Sequence, residues 1–236
     1  MNGILQRDVL TLLKKNQTIE GEFFSAKMYR DFLLIKTSST GCLSNASLNG
    51  GLKRCSAIIN YSLYGKEDCD GKPAEYLLKI VEGLEAKPGE TVGLLTAVNP
   101  EAFAYVRAEH THCFISLGLD NAASPLDGLS YSGKVVYGTI NTIILTDFKL
   151  TGEAYVDAFK TSVEAKAYSL MSKNIKSRYS EKLATGTITD VTAIVSFVQG
   201  EEYRYAGTGT DLGSEISKLV YSSISGLIDM FYAGKT

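Results

Sequence analysis

Three short segments place glycine, threonine, asparagine and aspartate inside or beside apolar runs. They are Gly138-Thr139-Ile140-Asn141, Thr185-Gly186-Thr187-Ile188-Thr189-Asp190 and Gly207-Thr208-Gly209-Thr210-Asp211-Leu212-Gly213. Polar groups buried along strands cost free energy unless they are paired, and glycine lets a ligand approach backbone N–H donors. Such segments therefore suit a binding surface, although turn chemistry with β-branched strand residues gives the same pattern. The third segment precedes a helical pattern, where a helix N-terminus could hold an anion. Its glycines at 207, 209 and 213 are spaced one residue too long for a dinucleotide fingerprint. Gly234-Lys235-Thr236 has no helix after it and is set aside as a phosphate loop.

Glu164-Ala165-Lys166 adds a pair of charges. Helical spacing puts Lys166 at the edge of an apolar stripe and Glu164 well off it. A lysine there either snorkels to water or reaches a site between helix and sheet as a donor or charge partner. His110 and His112 are the only histidines. Two apart on a strand, they would share a face, but no third ligand has convincing spacing, so no metal is assigned. There is no Gly-x-Ser-x-Gly elbow, and no cysteine sits in a recognisable nucleophile motif.

The elements that must position these residues follow from periodicity. Residues 4–15 have helical spacing through Ile4, Leu5, Val9, Leu12 and Leu13, and 28–36 read as extended. Residues 37–51 turn to Ser, Thr, Asn and Gly and read as a loop ending in Asn49-Gly50-Gly51. Residues 54–64 read as a strand and 73–85 as a helix opened by Pro73, which Pro88-Gly89 breaks. Strands are expected at 91–98, 103–109, 111–117, 134–146 and 187–198, with a loop at 118–133. Helices are expected at 151–172, with Val156, Phe159, Val163, Ala167 and Leu170 as its apolar stripe, and at 213–232, capped by Asp211 or Ser214 and closed by Gly234. The fold class is α/β (α+β): one domain over residues 1–236, a mixed β-sheet with helices packed on it.

Composition bounds the function. The 236 residues are 44% apolar, enough for a substantial core, and no run approaches the length of a membrane span. The first residues lack the basic and apolar regions of a secretory signal, so a cytoplasmic location is expected and Cys42, Cys55, Cys69 and Cys113 should be reduced thiols. The Asn-x-Ser/Thr triplets at Asn16, Asn45 and Asn60 are then chance matches. The net charge of −2 with scattered basic residues argues against nucleic acid and for a small-molecule substrate. A domain of this size could form a homo-oligomer, but no seam is legible.

Taken in order, Leu94-Leu95-Thr96-Ala97-Val98, Asn121-Ala122, Gly138-Thr139-Ile140-Asn141, Glu164-Ala165-Lys166 and Thr185-Gly186-Thr187-x-Thr189-Asp190 resemble the adenosylcobinamide amidohydrolase family. Asn49-Gly50-Gly51 and the strand holding Asn60 fit the same pattern, and the likeness spans roughly residues 40–230. The loop at 113–121 departs from it, lacking the threonine expected in its first half. The resemblance implies a corrinoid-salvage enzyme. It would hydrolyse the amide between a corrin propionyl side chain and aminopropanol, giving adenosylcobyric acid and 1-aminopropan-2-ol. Cobalt would enter with the substrate, and no cofactor is implied.

Amide hydrolysis needs a nucleophile, oxyanion donors and an acid for the leaving amine. The resemblance identifies motifs rather than roles; the preferred assignment takes Asp190 as general base, N–H groups around Gly186-Thr187 as oxyanion donors, and Lys166 or Glu164 as helpers of proton transfer. Asn60, Thr96, Asn121, Thr139, Asn141, Thr185 and Gly186 would meet the substrate's carboxamides. The competing assignment takes Thr187 or Thr139 as a nucleophile passing through an acyl-enzyme. A non-catalytic corrinoid-binding protein, a nucleotide enzyme using the Gly207–Gly213 loop, and a plain interaction module are the rival functions.

Overall fold

The computed structural model describes residues 10–66, 69, 71–84, 86–129 and 138–233. Its centre is a ten-stranded mixed sheet. Along the main path run β1 (Thr11–Leu12), β7 (Phe103–Arg107), β8 (Thr111–Leu117), β10 (Ile140–Thr146), β13 (Val191–Phe197), β4 (Phe32–Ser44), β3 (Phe24–Met28) and β2 (Thr18–Glu20), with β5 (Gly51–Ser62) joining β4 and β6 (Thr91–Thr96) joining β5. Two parallel pairs interrupt the antiparallel ladders. β5 and β6 are linked through α1 (Pro73–Glu82), and β10 and β13 through α2 (Gly152–Ser172). Parallel neighbours need such crossovers, so each pair forms a βαβ unit. The last helix is α3 (Asp211–Tyr232).

The sheet curls because β4 is long enough to serve two neighbourhoods. Its first half pairs with β3 and its second half with β13, while β5 runs along its other edge across a register shift between Lys36 and Thr40. Side chains then alternate between two cores. From β8, Cys113, Ile115 and Leu117 meet α2 and α3, while Phe114 faces the inside of the curl. In β10, Ile140 and Ile144 take the helix side, while Ile143 and Leu145 take the inside. A third core packs Leu77 and Val81 of α1 on Ala57 and Ile59 of β5.

Most expected elements are present. The differences have clear causes. Residues 11–12 form β1 rather than helix, pairing with Tyr105 and Ala104 of β7, while Ile4, Leu5 and Val9 lie outside the described residues. The expected strand at 28–36 is a hairpin whose turn at 29–31 joins β3 to β4, and the expected loop at 37–51 is strand as far as Ser44. Thr40 and Ser44 are buried rather than solvated: Thr40 donates to the Cys55 carbonyl at 2.8 Å, and the neighbouring Cys42 is fully buried. The buried face of α2 shares only Leu170 with the expected stripe, with Phe159 packed partly buried beside it. Val156 is 61% exposed, whereas Ala154, Ala158, Thr161, Ser162, Ala165 and Ser169 are buried. Small residues let the helix lie close to α3 and to the sheet. α3 is capped by Thr210, whose hydroxyl accepts from Gly213 N–H at 3.0 Å, rather than by Asp211 or Ser214. The C-terminal Gly234 and residues 130–137, which include the start of the 134–146 strand, fall outside the described residues. Among the described residues, no helix is long and apolar enough to cross a membrane.

Gly41 shows how closely α2 sits on β4. A Cβ there would run into the Tyr155 hydroxyl, and the three nearest atoms it would meet all belong to that side chain. Gly41→Ala should therefore destabilise the protein by about 1–3 kcal/mol in urea denaturation. Tyr155→Phe removes the obstructing oxygen, so the double variant should recover most of that loss. An additive double variant would contradict the contact.

Candidate functional site

Asp190 ends the turn before β13, one residue ahead of Val191. Strand alternation sends its side chain to the α2 face, since Val191 belongs to the inner core. Four donors converge on its carboxylate. Oδ1 accepts from Ile140 N–H at 3.0 Å and from the Thr187 hydroxyl in a short contact. Oδ2 accepts from Thr187 N–H at 3.0 Å and from Lys166 Nζ at 2.5 Å. The backbone is fixed as well: Asn45 Nδ2 donates to the Asp190 carbonyl at 2.9 Å, and Asn45 Oδ1 accepts from Thr192 N–H at 2.8 Å. Lys166 comes from the buried face of α2, and the two charged side chains are only 9% and 10% exposed. Removing either charge from such a pair leaves the other buried and alone, at a cost of about 3–5 kcal/mol.

This pair forms part of the wall of a cleft of about 470 Å³ lined by Ala123–Pro125, Gly128, Leu129, Val163, Lys166, Thr185–Ile188 and Asp190. β12 (Gly186–Thr187) pairs with β9 (Ala122–Ala123) to form one side. Gly186 is required here. A Cβ at that position would collide with Asp190 Oδ2 and come within 3.3 Å of Lys166 Nζ. The other wall is the loop after β9, held by Asp127. That carboxylate accepts from Ser124 N–H at 2.7 Å, Ser177 Oγ at 2.6 Å and Ser180 Oγ at 2.5 Å. The two serine hydroxyls hold its acidity stronger than usual.

Five expected site residues, Lys166, Thr185, Gly186, Thr187 and Asp190, therefore meet at one cleft. The others take different positions. Asn60 and Asn141 lie inside the curl and bond to each other. Asn141 Nδ2 donates to Asn60 Oδ1 at 2.8 Å and to the Leu95 carbonyl at 2.9 Å, while Asn60 Nδ2 donates to Ser116 Oγ at 3.0 Å. Thr96 accepts from Val98 N–H at 3.2 Å. Asn121 donates to Thr189 Oγ1 at 3.3 Å; Thr189 also meets the Thr139 hydroxyl and donates to the Gly138 carbonyl at 3.0 Å. Buried at 3% exposure or less, Asn60, Thr96, Asn121, Thr139 and Asn141 line no part of the cleft. They brace β5, β6, β8 and β10 and the turn before β13. Gly138, at φ +127°, leaves room for Asn121, whose Oδ1 would lie 2.9 Å from an added Cβ.

Glu164 is exposed on the outer face of α2 and is no part of the cleft. Thr187 N–H donates to Asp190 Oδ2. With all four acceptor positions of Asp190 filled, a free water has no lone pair on it to use. The histidines do not share a face. His110 precedes β8, lies tilted against Phe148 with centroids 4.7 Å apart and faces Asp147 at 3.7 Å; His112 sits against Phe24 and Tyr105. Among the described residues, no three His, Cys, Asp or Glu side chains are grouped to hold a metal. The glycines of the 207–213 loop serve the helix cap: the Gly207 carbonyl accepts from Thr210, and a Cβ at Gly213 would strike that carbonyl. Asn45 and Asp127 escaped the sequence reading. Asn45 sits in a glycosylation-like triplet, and Asp127 lies in a loop whose partners are some 50 residues away.

A family model described as adenosylcobinamide amidohydrolase matches residues 15–230. The adenosylcobinamide amidohydrolase of Methanosarcina mazei is 27% identical over 198 residues, covering 79% of this chain and 89% of that protein. An uncharacterized protein of Methanocaldococcus jannaschii is 37% identical over 98 residues, covering 39% of this chain and 38% of that one. A Pyrococcus horikoshii crystal structure aligns with TM-score 0.41 at 12% identity, over 92% of this chain and 81% of its own.

His112 gives the fold a pH signature. Burial, aided by the charge of Arg107, pushes its imidazole down to about 4, so the folded state holds it neutral where the unfolded chain would protonate it. A depressed pKa on a base contributes stability that is full above pH 6.5 and lost as pH falls toward 4. The loss is on the order of 3 kcal/mol. Denaturation at pH 7 and pH 4.5 should show that His112→Leu is markedly less acid-sensitive than the wild type. Equal sensitivity would contradict a buried neutral imidazole.

Proposed function

The chain belongs to the adenosylcobinamide amidohydrolase family, and from that premise we propose that it hydrolyses the amide between a corrin propionyl side chain and aminopropanol, releasing adenosylcobyric acid and 1-aminopropan-2-ol. The observation that carries the reading is the chain of contacts Thr187–Asp190–Lys166 in the wall of the cleft. A hydroxyl already bonded to a carboxylate, with an ammonium on the carboxylate's other oxygen, is a nucleophile with its proton acceptor and an acid beside it.

In this mechanism Thr187 Oγ forms a bond to the amide carbon while its proton moves to Asp190 Oδ1 along the existing hydrogen bond. Lys166 stabilises the oxyanion and then gives a proton to the amide nitrogen, and the C–N bond breaks to release the amine. Asp190 then gives its proton to water entering the cleft as the amine departs, and Lys166 takes one from the same water, which restores the ion pair. Water next attacks the threonyl ester, loses its proton to Asp190, and the Thr187 oxygen leaves and takes that proton back. Asp190 thus acts as the base for Thr187 in the first half-reaction, which is one of the two assignments the sequence left open. The family gives the substrate as a corrinoid, and its cobalt is cargo of that substrate.

Purified protein incubated with adenosylcobinamide should yield adenosylcobyric acid and aminopropanol by mass spectrometry. Asp190→Asn and Lys166→Met should each lower turnover at least about a hundredfold, in protein shown to be folded by circular dichroism. Near-full turnover by either variant would contradict the assignment. Intact corrinoid in every tube would favour a binding protein instead.

A further inference from the structure

The mouth of the cleft carries apolar side chains that the chemistry at Thr187 does not use. Ile188 is 48% exposed and Leu129 47%, and both line the cleft. Ile188 sits in the turn between Thr187 and Thr189, whose hydroxyls bond to Asp190 and to the Gly138 carbonyl. Turn tips favour small polar residues, so a large β-branched side chain left in water beside the reactive hydroxyl has no account in the fold. Leu129 belongs to the loop that Asp127 fixes to Ser177 and Ser180, and Lys182 Nζ donates to the Leu126 carbonyl of the same loop at 2.7 Å. Both apolar groups are thus presented by braced backbone.

The size of the cleft decides what they meet. Its volume of about 470 Å³ suits an amide-bearing arm and cannot enclose a corrinoid with its adenosyl group. If the arm reaches Thr187, the macrocycle must stay outside, at the mouth. Corrin rings carry methyl groups between the carboxamide arms around their edge, so the part left outside presents apolar as well as polar surface. We infer that Ile188 and Leu129 form a platform on which the corrinoid macrocycle rests while its aminopropanol arm enters the cleft. This inference rests on the reading of the cleft as a corrinoid site.

The test is the dissociation constant of adenosylcobinamide, measured by equilibrium dialysis with detection by corrinoid absorbance. Ile188→Ser and Leu129→Ser should each weaken binding about tenfold, the equivalent of 1.4 kcal/mol. Leu52→Ser, at a leucine 56% exposed on β5 that lines no part of the cleft, should bind like the wild type. Melting temperatures for all three should stay near that of the wild type. Unchanged binding in both rim variants, or equal weakening in Leu52→Ser, would overturn the platform. The two readings separate cleanly. A wild type that releases aminopropanol while rim variants bind normally removes the platform alone. A wild type that binds without releasing amine, with weakened rim variants, supports the platform and removes the hydrolytic reading. A wild type that does not bind the corrinoid removes both.

Discussion

The carboxylate of Asp190 is the constraint on which the rest of the site depends. It stands at the junction of three separate pieces of chain, and each supplies a donor: the start of β10 through Ile140 N–H, the Thr187 turn through both its amide and its hydroxyl, and α2 through Lys166. A carboxylate at about 10% exposure is costly unless such partners surround it. The partners in turn fix the crossover. α2 must present its seventh-last residue to the sheet at the very end where β13 begins, and the small residues on its buried face let it come close enough.

Parallel pairing of β10 with β13 explains why those pieces coincide. A βαβ crossover returns the chain to the same end of the sheet, so the Gly138–Asn141 segment, which leads into β10, lies beside the turn that leads into β13. On the sheet's inner face the same end is braced by Asn60, Ser116 and Asn141. Polar residues that looked like a substrate surface are thus divided by strand alternation. Those on the α2 side reach the cleft, and those on the inner side hold the strands at the positions the cleft requires.

Much of this was legible in the sequence. The periodic segments that became β5, α1, β6, β7, β8, α2 and α3 carry their pattern in their own residues, and the motif holding Thr185–Asp190 announces buried polarity. What failed was every feature set by a distant partner. Thr37–Ser44 has loop composition, and only its ladders with β5 and β13 make it a strand. The outward face of α2 is the more hydrophobic one in places, because close packing on α3 selects alanine and serine for the inward face. Asn45 and Asp127 act on residues far along the chain, and no local spacing reveals that. Glu164 and Lys166 are two apart in one motif, yet helical geometry sends one to water and the other to Asp190.

The account assigns the bond-forming step to a single hydroxyl, and the sequence alone left that open against attack by water. The most direct measurement is therefore the rate of 1-aminopropan-2-ol release from adenosylcobinamide by Thr187→Ala, beside the wild type at equal concentration of folded protein. If Thr187 forms the acyl-enzyme, the rate falls by at least about a thousandfold, and Thr187→Ser keeps measurable turnover. Release by Thr187→Ala within a fewfold of the wild type would show that water attacks directly, and would contradict the central claim.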